Sequence, residues 1–146
     1  MNHNNAAKII PLHLLPTDQL PVLQDLQRLS GPGVRAFFRI AERWQLTTDE
    51  QMSLLGVSSR STLFHWKRQQ DARLSRDQLE RVSHILGIYK ALQILLPNED
   101  SADAWVKRPN AAPLFDGRPA LQRMAGGILG LFSVRAYLDA QRGGWA

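Results

Sequence analysis

The chain has 146 residues, 44% of them hydrophobic and 21% charged, a balance that allows one modest core or two small helical ones and excludes a disordered chain. A net charge of +5 and a pI near 10.2 favour polyanionic partners, because neutralising phosphates releases condensed counterions. The lack of cysteine excludes a disulfide framework, a thiol nucleophile and a thiolate metal site. With no basic segment followed by an apolar stretch near Met1 we expect a cytoplasmic protein. The longest mostly apolar stretch, Met124 to Val134, is about half the ~20 residues of a bilayer span and is broken by Gly126, Gly127 and Gly130, so no membrane partner is expected.

Residues 1–18 hold Pro11, Pro16 and a run of Asn without helical period, and read as a flexible leader. A first helix is expected after Pro21, with Val22, Leu23, Leu26 and Leu29 on one apolar face, ended sharply by Gly31-Pro32-Gly33. Val34, Phe37, Phe38, Ala41 and Trp44 then recur at helical spacing and supply the bulky part of a core. Thr47-Thr48-Asp49-Glu50 is a capping box that opens a helix running to Gly56, where the missing Cβ permits the positive φ of a tight turn. Ser58 or Ser59 can cap the next helix, predicted to reach about Lys67. Ser75-Arg76-Asp77-Gln78 is a second capping box, opening a long helix that ends at Pro97 and serves both halves of the chain. The remainder is short helices broken by Pro109, Pro113, Pro119 and glycines, with Leu131, Val134 and Leu138 as the buried face of the last one. No strand-like alternation occurs, so the fold class is all-α, with a helix-turn-helix domain over 19–96 and a small helical domain over 97–146.

The two short helices joined at Leu54-Leu55-Gly56-Val57-Ser58 form a helix-turn-helix, in which the first helix braces the second so that its amino-terminal residues meet base edges. With Val57, Leu63 and Trp66 facing inward, Ser59, Arg60, Ser61, Thr62, His65, Lys67 and Arg68 become the candidate DNA contacts. The surrounding segment is rich in basic residues, with Arg60, Lys67, Arg68, Arg73, Arg76, Arg81 and Lys90 against Asp71, Asp77 and Glu80. The same surplus could be no more than a solvated face. At the far end, Arg142-Gly143-Gly144-Trp145-Ala146 places a large aromatic after a flexible pair. Exposed arginine and tryptophan are typical interface anchors, although Trp145 could instead fold back on its own core.

The segment Gly56-Val57-Ser58-Ser59-Arg60-Ser61-Thr62-Leu63-Phe64-His65-Trp66 resembles the Xre or Cro-like class of this motif. The series Trp105, Pro109-Asn110, Phe115-Asp116-Gly117, Gly130, Val134-Arg135, Leu138 and Gly143-Gly144 extends the resemblance, from about Val34 to the end, to antitoxins of Xre/MbcA/ParS type. That family often shows Leu-Gly-Gly where this chain has Phe115-Asp116-Gly117. The resemblance implies a carboxy-terminal toxin-binding domain, a RES-domain toxin that depletes NAD as partner, and repression of the shared operon. By analogy it makes Arg135, Arg142, Gly143, Gly144 and Trp145 the candidate inhibitory surface. A homodimer within a larger toxin-antitoxin complex is the expected assembly, with operator DNA as a further partner, and no cofactor or metal is expected. Two other readings compete: a stand-alone repressor whose carboxy-terminal part dimerises, and a small enzyme. The enzyme finds little support, since His3, His13, His65 and His84 do not group with a nucleophile or paired carboxylates.

Overall fold

The computed structural model describes residues 20–143, with side chains from Arg28 onward. Among the described residues there are seven α-helices, one 3-10 turn and no strand: α1 (Leu20–Arg43), α2 (Thr48–Leu55), α3 (Arg60–Gln69), α4 (Arg76–Leu95), α5 (Glu99–Ala104), the 3-10 turn Trp105–Lys107, α6 (Ala120–Met124) and α7 (Ile128–Gln141). None of these helices is long and apolar enough to cross a membrane.

The predicted break at Gly31-Pro32-Gly33 does not occur: α1 runs straight through Pro32. Proline inside a helix removes a backbone donor and costs about 3 kcal/mol, so something must outweigh it. Downstream, Val34, Phe37, Phe38, Ile40, Ala41 and Trp44 are all buried, each large side chain contributing roughly 1.5–3 kcal/mol. Upstream, the buried Ser30 Oγ accepts from the Leu74 amide at 3.1 Å, fixing the turn before the proline. At Gly33 an added Cβ would lie 3.5 Å from Val82 and 3.8 Å from Leu74, ordinary van der Waals contact, so this turn is packed against Val82 and Leu74 and does not mark an end. Leu29, expected on a buried face, is exposed; Val22, Leu23 and Leu26 lie outside the described side chains.

Both predicted capping boxes form. The Glu50 amide donates to Thr47 Oγ1 at 3.1 Å while Glu50 Oε1 accepts from the Thr47 amide at 2.8 Å, and Ser75 and Gln78 repeat the arrangement at 3.1 and 3.0 Å. Gly56 closes α2 in the left-handed region at φ 71°. Ser59, not Ser58, caps α3, which ends two residues beyond Lys67. Helix α4 packs against α1 and α2 on one side of the molecule and against α5 and α7 on the other, so Val82, Ile85, Ile88, Ala91 and Leu92 are all buried.

The carboxy-terminal module is organised around a row of aromatic rings. Phe115 lies between Trp105 and Tyr137, at 5.7 and 5.2 Å between centroids, both edge to face. The proline-bounded loop that delivers Phe115 is closed on Asn110. Its amide donates to Arg118 O, its carbonyl accepts from the Gly117 amide at 2.8 Å, and its Oδ1 accepts from the Ala112 amide at 3.0 Å. Asp116 and Gly117 both take positive φ, 52° and 78°, to turn the chain back. Leu131, Val134 and Leu138 are buried along α7 as the spacing predicts.

Candidate nucleic-acid and toxin interfaces

In α3 the buried Leu63 and the half-buried Ser59, Thr62 and Trp66 define the side that packs on the domain. At about 100° per residue, the opposite side is centred on Ser61, Phe64 and Arg68, flanked by Arg60 with Lys67 and by His65. All six of these side chains are exposed. The helix carries no acidic residue, so the charges it contributes to its open face are all positive.

The candidate contacts differ in how free they are. Ser59 Oγ accepts from the Thr62 amide at 3.3 Å and shares a 2.8 Å hydrogen bond with Ser61 Oγ, so it serves first as the helix cap. Arg60 is not free in the DNA-free chain: its Nη2 meets Asp49 Oδ1 at 2.7 Å. That pair spans two exposed side chains, where an ion pair is worth only ~0–1 kcal/mol, so exchange for a phosphate or a base edge costs little. Thr62 is half buried, whereas His65, Lys67 and Arg68 are open to solvent.

Arg81, part of the basic surplus, is committed to structure. Its Nε pairs with Asp77 at 2.8 Å and its Nη1 donates to Ser53 O at 3.3 Å, while Gln78 Nε2 donates to Gly56 O at 3.4 Å. A Cβ on Gly56 would sit 3.0 Å from Arg81 Nε, so the turn of the motif is held against α4.

At the other end, Arg135 lies across α4. Its Nη1 donates to Ser83 O at 3.2 Å, its Nε stands 3.9 Å from Asp139, and a Cβ on Gly87 would fall 2.4 Å from Nε. Arg142 reaches the same Asp139 at 4.0 Å, so one carboxylate gathers both arginines at the end of α7. Gly143 takes φ 81°, and a Cβ there would meet nothing within 4 Å. Gly144 and Trp145 lie outside the described residues.

Sequence reasoning missed two features of this module. Leu129 and Phe132 stand 79% and 58% exposed on the side of α7 away from Leu131, Val134 and Leu138; a helical projection of the last fourteen residues of regular structure carries that signal. Phe132 also meets His84 edge to face at 5.9 Å. Burial pushes the His84 imidazole below its ordinary pKa and the Arg135 guanidinium pushes the same way, with Glu80 partly offsetting them. The second feature is a cleft of about 510 Å³ between the Asn110-closed loop and α6, lined by Asp116, Arg118, Arg123 and Gly130, which offers charges of both signs to a partner segment.

These features define a class: a helix-turn-helix protein whose carboxy-terminal helical module is built on the last helix of the first. Residues 24–87 match the antitoxin Xre-like helix-turn-helix domain, and residues 91–144 match the antitoxin Xre/MbcA/ParS C-terminal toxin-binding domain. The uncharacterized protein y4oB of Sinorhizobium fredii (strain NBRC 101917 / NGR234) is 52% identical over 112 residues, which is 76% of this chain and 84% of that protein. The chain belongs to the Xre-type antitoxins, with a helix-turn-helix domain and a toxin-binding domain. Both are binding domains, and among the described residues no group of three or more His, Asp or Glu could hold a metal ion.

Proposed function

We propose that this antitoxin neutralises a RES-domain, NAD-degrading toxin by laying its carboxy-terminal end in the toxin's active site, and represses its own operon as a homodimer on a two-fold operator. In this reading residues 19–96 bind DNA, residues 97–146 bind the toxin, and residues 1–18 are a leader. The observation that carries the inhibitory half is the end of α7: Arg135 and Arg142 share Asp139, and the chain leaves them through an unobstructed glycine toward Gly144 and Trp145. The toxin's identity rests on the family resemblance. The repressing half is supported by the acid-free face of α3, with Ser61, His65, Lys67 and Arg68 open and Ser59, Arg60 and Thr62 at its amino-terminal end.

The test is a truncation lacking Gly143 to Ala146, assayed against the adjacent toxin for NAD consumption. The expected result is a folded protein that no longer protects NAD. Full protection by the truncated protein would show that the plug lies elsewhere, for which Leu129 and Phe132 are the next surface to alter. Arg60→Ala should weaken DNA binding and leave neutralisation intact. The stand-alone repressor reading has no structural observation in its favour, and the toxin-binding match weighs against it.

A further inference from the structure

Phe64 sits at the centre of the outward face of α3, between Ser61 and Arg68, and is 41% exposed. Among the described residues no aromatic ring packs on it. Around it stand Arg60, Lys67 and Arg68, with no acidic residue on the helix. An apolar ring inside a cationic rim complements a major groove, where phosphates line the edges and the C5 methyl of thymine is the apolar group on the floor. An aromatic ring beside arginines also suits a protein partner; its place on the second helix of a helix-turn-helix is what favours the groove.

We propose that Phe64 is a specificity-determining residue that reads a thymine methyl group, one per half-site, when α3 occupies the groove. This rests on α3 being the DNA-reading helix. Ser61 and Arg68, one turn to either side, then address the neighbouring base edges or phosphates. The ring supplies shape and burial, while the cations supply sequence-independent affinity.

The test starts with selection of sites by the full chain from a random duplex pool, followed by replacement of each selected thymine by deoxyuridine, which removes only the methyl group. One methyl buried against Phe64 should be worth about fourfold in Kd per half-site, the factor equivalent to ~0.8 kcal/mol. In Phe64→Ala, with its fold checked by circular dichroism, the affinity should fall and the same replacement should have no further effect. Phe64→Leu should retain part of the dependence. The proposal is overturned if no thymine is sensitive, if the sensitivity persists in Phe64→Ala, or if Phe64→Ala keeps its site preference but loses self-association by size-exclusion chromatography. Failure of the unaltered chain to select any sequence would instead remove the DNA-reading role of α3, a distinct outcome that takes this proposal with it.

Discussion

Two glycines next to arginines should respond very differently to the same substitution. At Gly130, the third residue of α7, a Cβ would lie 1.9 Å from the carbonyl oxygen of Arg123 and 2.9 Å from its carbon. Both atoms are backbone, and the oxygen is held by the Gly126 amide at 3.2 Å, so it cannot withdraw without unwinding the end of α6. Alanine would gain ~1 kcal/mol of helix propensity, against an overlap that forces α6 and α7 apart and costs about 3 kcal/mol or more. At Gly87 the obstacle is the Arg135 guanidinium, the far end of a flexible chain, 2.4 Å from the added atom. There the propensity gain offsets loss of the Arg135 bond to Ser83 O, and the net change should stay within about 1 kcal/mol. Thermal melting followed by circular dichroism should show Gly130→Ala roughly 6 °C or more below the unaltered chain and Gly87→Ala within ~3 °C of it. A Gly130→Ala protein that melts with the unaltered chain would refute the claim that this contact limits how closely the two helices pack. Because Gly87→Ala evicts Arg135 while preserving the fold, it also tests whether that arginine's placement matters for the toxin.

Thr47→Ala should cost ~1 kcal/mol by removing one half of the α2 capping box, read as a lower midpoint in urea with an unchanged slope. Asp49→Asn should release Arg60 and delete a negative charge beside the exposed face of α3; we expect stability within about 1 kcal/mol of the parent and, if that face meets DNA as proposed, tighter binding to arbitrary duplex in a salt titration. The folded state lowers the His84 pKa, so folded chains bind fewer protons than unfolded ones below the ordinary value of 6.5. The stability His84 contributes is therefore complete above pH 6.5 and is lost as the pH falls below it, and His84→Gln should flatten the acid side of the stability profile.

What was legible in the sequence was local. Thr47 with Glu50, Ser75 with Gln78, the left-handed Gly56, and the spacing of Leu131, Val134 and Leu138 each act within one or two turns, and each is where the pattern puts it. What misled was equally local: Gly31-Pro32-Gly33 carries a strong breaking signal, but the helix is held by Ser30 Oγ accepting from the Leu74 amide and by packing of this turn near Val82. No window of neighbouring residues contains those partners. The same limit applies to charge. Arg60 and Arg81 count alike in a basic surplus, yet one is paired with Asp49 on the surface and the other is fixed to Ser53 O at a turn. The exposed Leu129 and Phe132 were readable from helical projection but become visible only once the buried face of α7 is fixed.

The short helix α2 shows how the two modules depend on each other. Eight residues make a marginal helix in isolation, and α3 packs on it as well as on α1. Its carboxy-terminal end is held by Arg81 and Gln78 of α4, at Ser53 O and Gly56 O. Its amino-terminal end is held by the carboxy-terminal module: Lys107 Nζ stands 3.4 Å from Glu50 Oε1, the same oxygen that accepts the Thr47 amide, and also donates to Gln45 O. A single carboxylate oxygen thus belongs both to a local capping box and to the contact between modules. Changes at Thr47 and Lys107 share that partner and should not add, whereas changes at Thr47 and Arg81, which act on opposite ends of the helix through separate groups, should come closer to adding. The position of α2 behind α3 is therefore set jointly by the long helix and by the toxin-binding module that follows it.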